Sequence, residues 1–122
     1  MILIDTSVWI DHLRRNDARL ASELEDGRVL MHPFVVGELA CGNLANRQEV
    51  LGLLRRLPPA PVASDEEALH FLETHSLMGR GLGYVDIHLL ASATLAAPAA
   101  FRTRDRRLAA AAADLGLAAG RR

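Results

Sequence analysis

Short apolar runs alternate along the chain with longer stretches whose apolar positions recur every three to four residues. That pattern predicts strands buried on both faces, interleaved with helices. Residues 1–4 form the first run and end at Asp5. Thr6 or Ser7 can cap a following helix that sets Trp9, Ile10 and Leu13 on one face and Asp11, His12, Arg14 and Arg15 on the other. A short helix over 18–25 stops at Asp26 and Gly27, and 28–31 is the second strand. Pro33 suits the first turn of a third helix, which carries Phe34, Val35, Val36, Leu39 and Ala40 and has Glu38 as its only charge.

A fourth helix over 47–57 is stopped by Pro58, Pro59 and Pro61, with 62–63 a minimal strand beyond them. Ser64 and Glu67 have capping-box spacing and open a helix to about residue 77. Gly79, Gly81 and Gly83 then make a flexible loop before an Ala- and Leu-rich helix over 84–95, with Asp86 in its first turn. Residues 99–102 are a strand, Thr103 caps the last helix, Asp105 lies in that helix's first turn, and 115–118 is a final short strand.

This order predicts an α/β protein, a three-layer α/β/α sandwich with a short, mostly parallel central sheet. At 122 residues the chain is expected to be one domain, 1–122, without repeats or a linker. Ligands of open parallel sheets collect outside the carboxyl ends of the strands. Asp5 follows the first strand directly and Asp105 follows the strand at 99–102 almost directly, while helices starting at the same edge can bring Glu38 and Asp86 to that rim.

Each of these acids also has a plainer reading. Asp5 can be a turn or helix cap, Asp86 and Asp105 can each stabilise a helix dipole, and Glu38 can be a surface glutamate. The neighbours of Glu38 are apolar, however, and a buried acid there needs a partner. Carboxylates gathered to about 4 Å repel by roughly 4 kcal/mol per pair at an effective dielectric near 20. Protons or a hard cation must then sit between them, and an all-oxygen site suits Mg²⁺ or Mn²⁺. The remaining acids, including Asp11, Asp17, Glu23 and Asp65, read as solvated faces or caps.

Composition narrows the chemistry. The formal net charge is −1, so any basic surface is local. Arg102, Arg104, Arg106 and Arg107 beside Asp105, with Arg80 in the glycine loop, are candidates for RNA phosphate contacts, or else a solvated helix face. Every basic residue is Arg, and without lysine a phosphate-loop NTPase, a receiver domain and a Schiff-base enzyme are excluded. The five histidines have no zinc-ligand spacing, and Ser7 and Thr6 have no His–Asp relay. Cys41, the single cysteine, is expected as a small core residue in a reducing compartment. Without a signal-like N-terminus or an apolar stretch near the ~20 residues that span a bilayer, the expected location is the cytoplasm, away from membranes.

Four segments then become recognisable together: Asp5-Thr6-Ser7-Val8-Trp9-Ile10, Val36-Gly37-Glu38-Leu39-Ala40-Cys41-Gly42, the run from Gly83-Tyr84-Val85-Asp86 to Ala93, and Thr103-Arg104-Asp105-Arg106-Arg107-Leu108. In order and over nearly the whole chain they resemble the acidic motifs of PIN-domain ribonucleases, most closely toxins of VapC type. The resemblance implies a Mg²⁺- or Mn²⁺-dependent endoribonuclease with Asp5, Glu38, Asp86 and Asp105 as its acidic quartet and Thr6 and Thr103 as supporting hydroxyls. It also implies a homodimer, an antitoxin encoded next to the toxin whose tail covers the acidic pocket, and a structured RNA such as tRNA or rRNA as substrate. The glycine loop and the C-terminal tail are less family-like, and substrate choice is expected there.

Two other functions compete. One is a metal-dependent phosphatase or phosphotransferase with Asp5 as nucleophile, although Ser7 stands where such enzymes carry a second Asp and no lysine supports the phosphoryl group. The other is a non-catalytic RNA- or protein-binding module whose acids only cap helices. It lacks the aromatic residues for a single-strand stacking platform.

Overall fold

The centre of the molecule is strand β1 (Ile2–Ile4), whose three side chains are all buried, as expected of a strand covered on both faces. In the computed structural model, which describes residues 1–118, β1 pairs in parallel with β2 (Val29–Leu30) on one side and β3 (Ala100–Arg102) on the other, giving the order β2-β1-β3. The end of the C-terminal tail, 119–122, lies outside the described residues. Seven helices surround the sheet among the described residues: α1 (Thr6–Arg15), α2 (Ala18–Glu25), α3 (Pro33–Ala40), α4 (Arg47–Arg55), α5 (Asp65–Thr74), α6 (Tyr84–Leu95) and α7 (Arg106–Asp114). This is the α/β fold anticipated from the alternation of patterns. Because the chain leaves β1 for β2 on one side and reaches β3 on the other, a crevice opens at the carboxyl end of β1.

Two edge positions extend the sheet. Phe101 bridges Ala118 in parallel, within the expected last strand, and Met31 bridges Pro59. The second contact falls earlier than the expected strand at 62–63, inside the proline run. Met31 N–H donates to the Pro58 carbonyl at 2.8 Å and Ala60 N–H to the Met31 carbonyl at 2.9 Å. Pro59 has no N–H to lose, so it suits an edge position.

Helix starts also moved. Asp5 itself, not Thr6 or Ser7, is the N-cap of α1, and Asp105, not Thr103, is the N-cap of α7. The capping box of α5 forms as expected from Ser64 and Glu67. Cys41 is exposed at the C-cap of α3, contrary to its expected core position, because α3 ends there and turns outward. Glu23 is likewise not a solvated acid. It is buried and ion-paired to Arg102, since the face of α2 that carries it turns inward toward β3. No helix among the described residues is long and apolar enough to cross a membrane.

The N-cap of α3 is His32, whose Nδ1 accepts the Phe34 N–H at 3.0 Å, followed by Pro33 in the first turn. Burial pushes the pKa of His32 down to about 4, helped by the charge of His88 nearby. Between pH 6.5, the ordinary value, and about 4, the unfolded chain therefore holds a proton that the folded chain lacks. The stability from neutral His32 is complete above that window and lost as pH falls through it. A His32→Asn variant keeps a capping acceptor and does not titrate. Relative to it, wild type should lose on the order of 2–3 kcal/mol of urea stability between pH 7 and pH 4. A difference that stays constant with pH would refute this.

Candidate active site

Asp5 stands at the mouth of the crevice because β1 ends there, and its N–H donates to the Arg102 carbonyl at 2.9 Å. Its side chain is nearly buried, and Oδ2 accepts from Ser7 Oγ at 2.7 Å and Thr103 Oγ1 at 2.8 Å. Both hydroxyls accept in turn from the backbone at 3.0 Å: Ser7 Oγ from Arg104 N–H and Thr103 Oγ1 from Asp105 N–H. Each hydroxyl has one proton, so accepting backbone N–H bonds commits that proton to Asp5. The turn leading into α7 is thereby fastened to the first acid.

The other three acids are held in the same economical way. Asp86, in the first turn of α6, accepts the Gly83 N–H through Oδ2 at 2.9 Å. Asp105 accepts the Leu108 N–H through Oδ1 at 3.0 Å. Glu38 accepts from Thr6 Oγ1 through Oε1 at 2.5 Å. It is exposed rather than buried, because Gly37 and Glu38 lie on the outer side of α3 while Val35 and Leu39 turn inward. Each acid thus spends one oxygen on a local donor. Among the described residues Asp5 Oδ1, Glu38 Oε2, Asp86 Oδ1 and Asp105 Oδ2 accept no hydrogen bond, and none of the four acids is ion-paired.

Burial raises the Asp86 pKa above the ordinary carboxyl value, the Gly83 N–H opposes it, and the charges of Asp5, Asp105 and Glu38 raise it further. The four acids therefore share one electrostatic neighbourhood centred on Asp86. They do not form a closed ligand shell: among the described residues, no three acidic, histidine or cysteine side chains are grouped so as to hold an ion.

The arginines have more defined roles than their sequence suggested. Arg102 is ion-paired to Glu23. Arg104 donates from Nε to Asp11 and from Nη2 to Asp17, both at 2.7 Å, and Arg80 pairs with Asp114 at 2.9 Å. The Leu20 N–H first, and Arg104 second among its favourable partners, hold the Asp17 carboxyl below its usual value. Arg107 is exposed and unpaired among the described residues, and it lies across Gly81. A Cβ on Gly81 would come within 2.6 Å of its Nη1, and Gly81 has φ +79°, so only glycine fits there. His32 and His88 were not singled out from the sequence, and Ser7 stood there only as a helix cap and a nucleophile without a relay. Ser7, two residues after Asp5, could have been found as the local hydroxyl partner of that acid.

Residues 2–114 match the PIN domain. Over 118 residues, 97% of this chain and 95% of the relative, the sequence is 49% identical to Ribonuclease VapC32 of Mycobacterium tuberculosis, in both strain CDC 1551 / Oshkosh and strain ATCC 25618 / H37Rv. The chain belongs to the PIN-domain family, among its ribonuclease toxins of VapC type.

Because Asp86 is burdened by burial and by three like charges, Asp86→Asn should fold at least as stably as wild type at pH 7 without divalent ions. Asparagine keeps an acceptor for Gly83 and removes the repulsion. A melting temperature clearly below wild type would contradict this electrostatic account.

Proposed function

We propose that this domain, residues 1–122, is a Mg²⁺- or Mn²⁺-dependent endoribonuclease that acts as the toxin of a toxin–antitoxin pair. The observation that carries the reading is the set of four carboxylates at the carboxyl end of the sheet, each with one uncommitted oxygen and no neutralising arginine. An all-carboxylate donor set of this kind fits a hard divalent cation. Asp5 and Asp86 would hold it most directly, with Glu38 and Asp105 completing its shell or acting through bound water. When bound, such an ion offsets phosphate repulsion and lowers the pKa of an attacking water.

The chain's own residues do the positioning. Ser7 and Thr103 fix the Asp5 carboxylate, and Thr103 also fixes the backbone of Asp105, so these two acids share one support. Thr6 steadies Glu38. Arg107, the second residue of α7 and laid across Gly81, is the arginine best placed for an RNA phosphate, while Arg80, Arg102 and Arg104 are largely committed to carboxylates. The name of the VapC32 relative favours RNA cleavage over a phosphotransferase or a non-catalytic module. Structured RNA such as tRNA or rRNA is the proposed substrate, in the cytoplasm, and the working form a homodimer. A cleft of about 390 Å³ lined by Ile10, Leu13, Leu39, Leu44 and Val50, with Glu38 on its wall, supports a cognate antitoxin covering the acids.

RNA cleavage should therefore vanish with chelator and return with Mg²⁺ or Mn²⁺. It should fall at least a hundredfold in Asp5→Asn while the circular dichroism spectrum is unchanged. A folded Asp5→Asn protein cutting RNA at the wild-type rate would remove the assignment. Separately, Arg107→Gln should weaken RNA binding at all sequences alike and reduce the slope of log K against log salt by about 1. An unchanged slope would exclude Arg107 as a phosphate contact.

A further inference from the structure

Helices α3 and α6, which carry Glu38 and Asp86, meet over an aromatic cluster that the reaction above does not use. The Phe34 ring stacks edge-on against His32, centroids 5.0 Å apart, and against His88 at 4.9 Å, and Tyr84 meets the other side of His88 at 4.6 Å. His32 and His88 are almost wholly buried. Each keeps one ring nitrogen without a hydrogen-bond partner among the described residues, Nε2 of His32 and Nδ1 of His88. A buried polar group left unpaired costs about 1–3 kcal/mol.

The partners of the other two nitrogens fix where the protons are. His32 Nδ1 accepts the Phe34 N–H, so the proton of the neutral ring is on Nε2, which is a donor. His88 Nε2 lies 3.1 Å from Asp65 Oδ1, the oxygen that also accepts the Tyr84 hydroxyl at 2.6 Å. That carboxylate oxygen is an acceptor, so His88 Nε2 carries a proton and donates to it.

We propose that His88, held by Asp65 and packed edge-on against Phe34 of α3 and Tyr84, is a positioning residue that fixes the first turn of α6, with Asp86, against α3, with Glu38. The role rests on the acid-quartet reading. His88 touches neither substrate nor ion. It acts through the helix that carries Asp86, as outer partners do around metal ligands.

Mn²⁺ titration calorimetry and RNA kinetics test the positioning. His88→Phe, which keeps the ring and loses both nitrogens, should bind Mn²⁺ about tenfold more weakly and lose kcat with little change in KM for RNA. His88→Gln, whose amide can still donate to Asp65, should recover much of that loss. Asp65 is exposed, so Asp65→Asn folds in any case and should shift Mn²⁺ affinity in the same direction. Wild-type affinity and kcat in His88→Phe, or in Asp65→Asn should the first variant not fold, would overturn the role. Absence of Mn²⁺ binding by wild type would overturn the quartet reading and the positioning role with it.

Discussion

Repulsion among four carboxylates at one end of a small parallel sheet is the constraint around which the rest of the structure is arranged. Three of them, Asp5, Asp86 and Asp105, sit at helix N-termini, where backbone N–H groups and the helix dipole favour negative charge. The fourth, Glu38, is steadied by a hydroxyl from the first residue of α1. These donors are strong enough to hold each acid in place and take only one oxygen from each. Burial first, and the charges of Asp5, Asp105 and Glu38 after it, still raise the pKa of Asp86. A protein optimised for stability alone would have placed an arginine there, and this one directs its arginines elsewhere.

The run from Arg102 to Arg107 shows where that positive charge goes. Arg102 reaches back to Glu23 on α2, and Arg104 spans Asp11 on α1 and Asp17 at the cap of α2. Removing one partner of a buried pair such as Glu23–Arg102 typically costs about 3–5 kcal/mol. Two arginines that look like a basic patch thus tie the β3–α7 turn to the first two helices, and that turn carries Thr103 and Asp105 to Asp5. Arg106 and Arg107 are exposed and carry no ion pair among the described residues, and Arg107 lies over Gly81, whose left-handed backbone without a Cβ leaves room for it.

Local pattern made most of the fold legible: α2 and α6 span the residues their periodicity indicated, and the Ser64–Glu67 box opened α5 as its spacing required. The misplacements have physical reasons. Asp5 and Asp105 proved to be helix caps, and because capping takes one carboxylate oxygen of each, the plain reading does not exclude the functional one. The edge pairing at Pro59 was hidden because a proline run reads as a break, although an edge asks for no N–H. Cys41 and Glu38 were judged by their apolar neighbours, yet on a short helix one residue's step is enough to turn a side chain out. The buried partners Glu23, His32 and His88 depend on contacts across the fold, which spacing along the chain does not encode.

Anomalous diffraction from crystals grown with Mn²⁺ tests the central claim most directly. The account predicts a strong peak at the carboxyl end of β1, bounded by the uncommitted oxygens of Asp5 and Asp86, with Glu38 and Asp105 drawn in directly or through water. A fully occupied Mn²⁺ elsewhere, with the four carboxylates left on their local donors, would contradict it.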